Sequence, residues 1–336
     1  MIYINYINII EVFGMKTLCF SKDWSFCLGD VWNDKTASRV CLPHTVALTP
    51  ENSSGCRNYQ GKCIYRKSFF VSDEYKEQKA ILEFEGAMGV SRLFVNGVPV
   101  KEHFCGYTPL VAEISRHLLY GKENLVEVRL DNSDNPEVPP GKPQAVLDFS
   151  YDGGLYRNAT ITFHSPLYIT HPLLENDVAG GGIFVWFTDV LKKDAFVHFK
   201  AHIRNDFDTE KAFIFKASLI NEKAPVIDYF KTEKVLSAGS SSYIEGEIEV
   251  LAPLLWSPEE PNLYILKTEL ILDGEIVFTK ETEVGFRTFE FTLDNGVIFK
   301  LARVEPDTVS LTAFNHRTLR SFLQGDSLVA KSRFVH

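Results

Sequence analysis

Asp148, Tyr151, Asp152, Tyr156 and Arg157 crowd around two adjacent glycines, Gly153 and Gly154, in the stretch LDFSYDGGLYRNATI, residues 147 to 161. Carboxylates, phenols and a guanidinium at this density supply hydrogen-bond acceptors, donors and flat apolar faces. Such a set lines either a structural turn or the rim of a sugar site. The paired glycines allow backbone angles closed to other residues and let a neighbouring segment come close. ATITFHS follows and reads as a strand, so the glycine turn launches an element.

Other residues with chemical potential are sparser. Tyr107, in GYTPL, offers a ring that stacks on a sugar or packs an edge, the second being the commoner use. Trp256, beside Pro258 and Pro261, reads as a core anchor. His44, His103 and His164 show no metal-ligand spacing, and no cofactor motif is present. The six cysteines (Cys19, Cys27, Cys41, Cys56, Cys63 and Cys105) all lie in the first third of the chain and form no C-x-x-C pair, which speaks against zinc or redox use. Cys56 and Cys63 are near enough in sequence to bridge, with ordinary buried thiols the expected state.

The elements that must position these residues are strands. From Lys67 onward KSFFV, AILEFEG, SRLFVNGVPV, NLVEVRL and ATITFHS recur at sandwich spacing. Asn96-Gly97 is a hairpin signal, since both turn positions tolerate positive φ. AEISRHLLYGKE is expected as the one short helix, ended by Gly121. DNSDNPEVPPGKP, residues 131 to 143, is a loop inside the first domain, because its prolines remove ladder donors and its Asn and Asp favour turns. After Ser165-Pro166 a second strand set begins: GIFVWFTDV, AFVHFKAHIRN, AFIFKASLIN, SYIEGEIEV, LYILKTELIL and EIVFTKETEVGF. About seven strands in this span is the size of an immunoglobulin-like sandwich. Asp273-Gly274 marks another hairpin. After Phe291 the periodicity fails.

Length and composition agree. A chain of 336 residues exceeds one ordinary core and implies two domains. A net charge of -9 argues against a nucleic-acid partner, whose phosphates need a positive surface. No apolar run is long enough to span a bilayer. Residues 1 to 14, MIYINYINIIEVFG, lack the basic start and small-residue cleavage site of a signal peptide. They are read as an extension, disordered or packed as an extra strand, ahead of a more natural start at Met15-Lys16.

Several stretches in order resemble the non-catalytic N-terminal half of family 2 glycoside hydrolases, the β-galactosidases, β-glucuronidases and β-mannosidases. NYQGKCIYRKSF, from Asn58 to Phe69, is similar to the family's Y-x-G-x-x-x-Y-R-K-x-F stretch. FEGAMGVSRLFVNGVPVKEHFCGYTPL, from Phe84 to Leu110, resembles its F-E-G … V-N-G … H-x-G-Y-T-P pattern. The stretch around Gly154 resembles its G-G-I-Y-R-D-V signature, with Leu155 and Asn158 substituted. WSPEEPNLYIL and GFRTFEF resemble the end of its sandwich domain.

The resemblance covers roughly residues 22 to 295. It implies an all-β chain: extension 1–14, jelly-roll sugar-binding domain 15–166, immunoglobulin-like β-sandwich 167–291, and an aberrant tail 292–336 expected to be disordered or to dock by improvisation.

In the family, a (β/α)8 barrel carrying two catalytic glutamates follows, entered through G-x-x-x-N-G-K-x-x-x-x-x-G-x-N-x-H. Here Asp294-Asn295-Gly296 begins that phrase and LARVEPDTVS breaks it, as a frameshift or truncation would. A barrel takes about 250 residues, and only residues 297–336 remain. Retaining hydrolysis needs two carboxylates about 5 Å apart, which the family draws from the barrel, so no catalytic residue carries over. Asn221-Glu222 repeats the family's acid/base dipeptide but falls at a hairpin end and carries almost no weight.

By its spacing from Gly154 and Arg157, Asp148 matches an acidic residue that in the family's β-galactosidases reaches the barrel's mouth and binds a sugar hydroxyl. The plainer reading is a loop aspartate bonded to local backbone. Arg157 is expected to pair with a carboxylate at the domain seam, a structural role rather than ligand binding. The implied function is the accessory half of a β-galactosidase-like enzyme, with carbohydrate and the catalytic barrel as partners and an exposed barrel-facing surface. A stand-alone carbohydrate-binding or adhesion module is the alternative.

Overall fold

The computed structural model describes residues 9–12, 14–47, 59–147, 149, 151–175, 177, 180–190, 194–221, 224–292 and 296–300. The chain is almost entirely antiparallel β and divides into two compact units between Pro166 and Leu167.

The first unit is a pair of sheets. One runs in the order Ile9–Val12, Met15–Cys19, Ala159–His164, Lys79–Phe84, Leu110–Glu113. The other runs Ser38–Val40, Trp24–Leu28, Lys62–Val71, Lys122–Asp131, Val90–Val95, Val98–His103. Neighbours distant in sequence and antiparallel throughout are the mark of a jelly roll. Alternation drives the packing: Ala80, Leu82 and Phe84 turn inward while Lys79, Ile81 and Glu83 are only half-buried. Trp24, Tyr65, Phe84 and Phe163 are among its fully enclosed large side chains, and the Trp24 ring meets those of Phe20, Tyr65 and Phe84 edge-on. At the Asn96-Gly97 turn φ is 52° and 79°, the mirror-image turn that matches strand twist.

The second unit stacks two four-stranded sheets as a β-sandwich. Asp194–Asn205 is flanked on one side by Leu167–Ile169 and Ile183–Thr188 and on the other by Ser241–Leu251. The second sheet runs Ala224–Leu236, Lys211–Asn221, Tyr264–Leu272, Glu275–Val284. Phe199 of the first sheet and Phe215 of the second place their rings 5.7 Å apart in the core. Asp273-Gly274 makes the expected hairpin, with φ of 52° and 87°.

Two expectations are corrected. AEISRHLLYGKE is not a helix: Leu110–Glu113 is a strand, and only a 3-10 turn, Ser115–His117, follows. A helix that short does not sustain itself, and Asn124 offers the backbone another arrangement, accepting from Leu119 N at 2.7 Å and donating to Leu119 O at 2.9 Å. Nor is residue 291 the end of regular structure. Thr288–Thr292 pairs with Gly296–Lys300, which adds one more pair of strands. Residues 301–336 lie outside the described residues. Of the first fourteen residues, Ile9–Val12 forms an outer strand on Met15–Cys19. Cys63 is a free, buried thiol, its pKa pushed up to about 12 by burial; Cys56 lies outside the described residues.

Candidate functional site

Asp148 falls outside the described residues; its neighbourhood does not. Met88 N donates to Gly154 O at 3.1 Å, His44 N to Leu155 O at 2.8 Å, and Val46 N to Gly153 O at 3.3 Å. The glycine turn is thereby laced to two other loops. Gly154 has φ of +93°, and a Cβ there would collide with the Tyr65 hydroxyl and come within 2.9 Å of His44 O. A Cβ on Gly153 would meet Asn132 Nδ2 at 2.6 Å. Both glycines are therefore required by close approach, and one also by backbone angle.

Beneath them, Tyr65 is fully buried and its hydroxyl bonds His44 Nδ1 at 2.8 Å. Burial raises the Tyr65 phenol's pKa and lowers that of His44, so the pair is held neutral. Asn132, buried, is the clamp on the other side. It accepts from Gly61 N at 2.8 Å, donates from Nδ2 to Tyr59 O at 2.6 Å, and its own N–H reaches Gly61 O at 3.2 Å. Sequence patterning gave no signal for Asn132, because a buried asparagine in a polar loop looks like any turn former.

The same unit exposes several rings. Phe104, Tyr107 and Phe149 each leave about half their surface open (53%, 47% and 50%). Burial, then the neighbouring Tyr151 and Tyr156 phenols, raise the Tyr107 pKa, which places the three tyrosines in one cluster. Tyr156 donates to Gly106 O. Tyr151 bonds Gln60, which in turn reaches Asp134. Arg157 is corrected: among the described residues it pairs with no carboxylate but lies over the Tyr156 ring, 5.8 Å from its centre. Trp256 is half-buried, with the Arg287 guanidinium 4.8 Å over its ring.

A hollow between Gly89, Asp131–Asn135, Val138–Lys142 and Tyr151 offers about 20 Å³ of water-accessible space. One water needs roughly 10–15 Å³, so the hollow accommodates a water and no sugar ring. The buried carboxylates found among the described residues are Glu127 and Glu269. Glu127 is gripped by Arg66 at 2.5 Å and Arg129 at 2.6 Å, and Glu269 by Lys267 at 2.8 Å and Lys216 at 3.6 Å. Asn221 spends its amide on Leu263 O, and Glu222 lies outside the described residues. No cluster of His, Cys, Asp and Glu able to hold a metal occurs among the described residues, and no described helix is long and apolar enough to cross a membrane.

Residues 30–166 match the family model described as glycosyl hydrolases family 2, sugar binding domain, and residues 184–287 that described as glycosyl hydrolases family 2. A β-galactosidase of Thermoanaerobacter pseudethanolicus is 28% identical over 294 residues, covering 84% of this chain and 36% of its own length. A β-glucuronidase of Formosa agariphila is 24% identical over 301 residues, covering 83% of this chain and 30% of its own. A solved β-glucuronidase from glycoside hydrolase family 2 superposes with a TM-score of 0.77 at 22% identity, over 88% of this chain and 33% of that one. The chain spans about a third of the length of the relatives it matches.

Proposed function

From a chain that belongs to glycosyl hydrolases family 2, we propose a β-galactosidase-like role: its jelly roll and sandwich flank and complete a sugar site whose catalytic carboxylates come from a barrel. The matched residues are those of the non-catalytic, N-terminal domains of family 2 enzymes. Within them, Asp148 is assigned to the sugar: a carboxylate accepts two hydroxyl hydrogen bonds at once, which suits a diol. The observation that carries this reading is the glycine turn itself. Gly153 and Gly154 are fixed against Asn132, Tyr65 and His44, a rigid base from which a neighbouring acid is presented with little loss of freedom.

The test is a chimera in which residues 22–291 replace the matching domains of the Thermoanaerobacter β-galactosidase. The hybrid is expected to cleave nitrophenyl β-galactoside, and Asp148→Asn to lower its kcat/KM by ~10–100-fold, the worth of hydrogen bonds to a charged group. An active hybrid indifferent to Asp148→Asn removes the assignment. The chain alone is expected to release no nitrophenol.

A second reading, a stand-alone carbohydrate-binding or adhesion module, draws on the exposed Phe104, Tyr107 and Phe149 rings. Retention on a glycan array by the chain alone, lost in Tyr107→Ala, would favour it.

A further inference from the structure

The glycine turn rests on a hydrogen bond whose geometry suits only a neutral histidine. Tyr65, fully buried on Lys62–Val71, meets His44 Nδ1 with its hydroxyl at 2.8 Å. Burial raises the Tyr65 pKa, and the Leu155 backbone N–H, which faces the same oxygen, works against that rise. An oxygen that accepts from Leu155 sends its own proton the other way, to His44. Nδ1 is therefore the acceptor, and the neutral imidazole carries its proton on Nε2. His44 closes the ring of contacts by donating its backbone N–H to Leu155 O at 2.8 Å.

A second proton on His44 sets two donors on one line. Nδ1–H and the Tyr65 O–H then point at each other, and among the described residues the phenol has no other acceptor. The surroundings do not relieve the conflict. Cys63, two residues along the same strand, is a neutral thiol whose pKa burial pushes up to about 12. Asp152 is exposed and accepts from Thr45 Oγ1 at 3.4 Å. From Trp24–Leu28 the Phe26 ring meets the imidazole at 4.8 Å. Burial accordingly lowers the His44 pKa below its ordinary 6.5. The turn has no slack to absorb a shift of the pair, since a Cβ on Gly154 would lie 2.4 Å from the Tyr65 oxygen.

We propose that His44 and Tyr65 form a pH-sensitive latch: it holds Gly153–Leu155 in place while His44 is neutral and releases them when His44 takes up a proton. This rests on the reading of the turn as the base of a sugar site, and it adds that acid loosens that base. The sign follows from linkage. A histidine whose pKa is lowered on folding removes stability as pH falls below the unfolded value of 6.5.

Hydrogen exchange of the full chain, read by mass spectrometry at about pH 7.5 and about pH 5.5 and corrected for the intrinsic rate, tests the latch. Protection of residues 153–155 is expected to fall by about 10-fold in acid, while that of Lys79–Phe84 holds. His44→Asn keeps an acceptor oxygen in place of Nδ1 and does not titrate, so its protection is expected to be equal at both values. Tyr65→Phe guards against a misfolded His44 variant. It keeps the ring in the core and removes the disputed proton, so its protection is expected to be weaker but equally independent of pH. Wild-type protection that ignores pH overturns the proposal. So does an acid loss that either folded variant retains, or one shared equally by Lys79–Phe84. The readout needs neither sugar nor Asp148, so a failed latch and a failed Asp148 assignment are separate results.

Discussion

At the scale of single residues, the glycine turn separates two causes that sequence cannot separate. Gly154 and Gly274 both have positive φ, but a Cβ on Gly274 would meet nothing within 4 Å, whereas on Gly154 it would run into Tyr65 and the His44 carbonyl. Gly274→Ala therefore costs backbone strain alone, about 1 kcal/mol. Gly154→Ala adds a clash with a fully buried ring and is expected to cost about 3 kcal/mol. Urea unfolding of the two variants measures the difference, and equal losses would mean that close approach plays no part. Asn132 belongs to the same lesson. Its type and its polar neighbours announce a turn, but its role depends on Gly61 and Tyr59, far away in sequence, and nothing local announces that.

At the scale of elements, strands were legible because alternation is a local property that burial repeats: Ala159, Ile161 and Phe163 point inward as ATITFHS implies. The hairpins at Asn96-Gly97 and Asp273-Gly274 were legible for a similar reason, their chemistry being contained in two residues. The helix expected in AEISRHLLYGKE failed because the deciding group, Asn124, sits beyond the segment, on the next strand. Residues 288–300 failed in the opposite sense, since a short apolar stretch beside mixed polarity gives too little repeat to count.

The first failure is testable. Asn124 is buried and serves Leu119 N, Leu119 O, Lys122 O and the Asn96 amide at 2.7–3.1 Å. Asn124→Ala leaves these groups to find water. A loss of about 2 kcal/mol is expected, with faster amide exchange confined to residues 115–124.

At the scale of the whole molecule, the first unit encloses a hydrophobic core that runs from Phe20 to Phe163 and includes Trp24, Tyr65, Leu82 and Phe84. Every member lies before Pro166, so the apolar burial that drives folding is complete within that unit. Its size is ample, since domains of about 150 residues bury enough surface to stand alone. The chain cut after Pro166 is accordingly expected to express in soluble form and to unfold in one cooperative transition. Leu82, fully buried on a central strand, reports on that core: Leu82→Ala removes methyl groups the packing cannot replace and is expected to lower the stability of the shortened chain by about 3 kcal/mol. Circular dichroism during urea unfolding checks both points. A shortened chain that unfolds gradually, or a Leu82→Ala variant of unchanged midpoint, would show that the core needs residues beyond 166. The jelly roll would then be half of a larger folding unit.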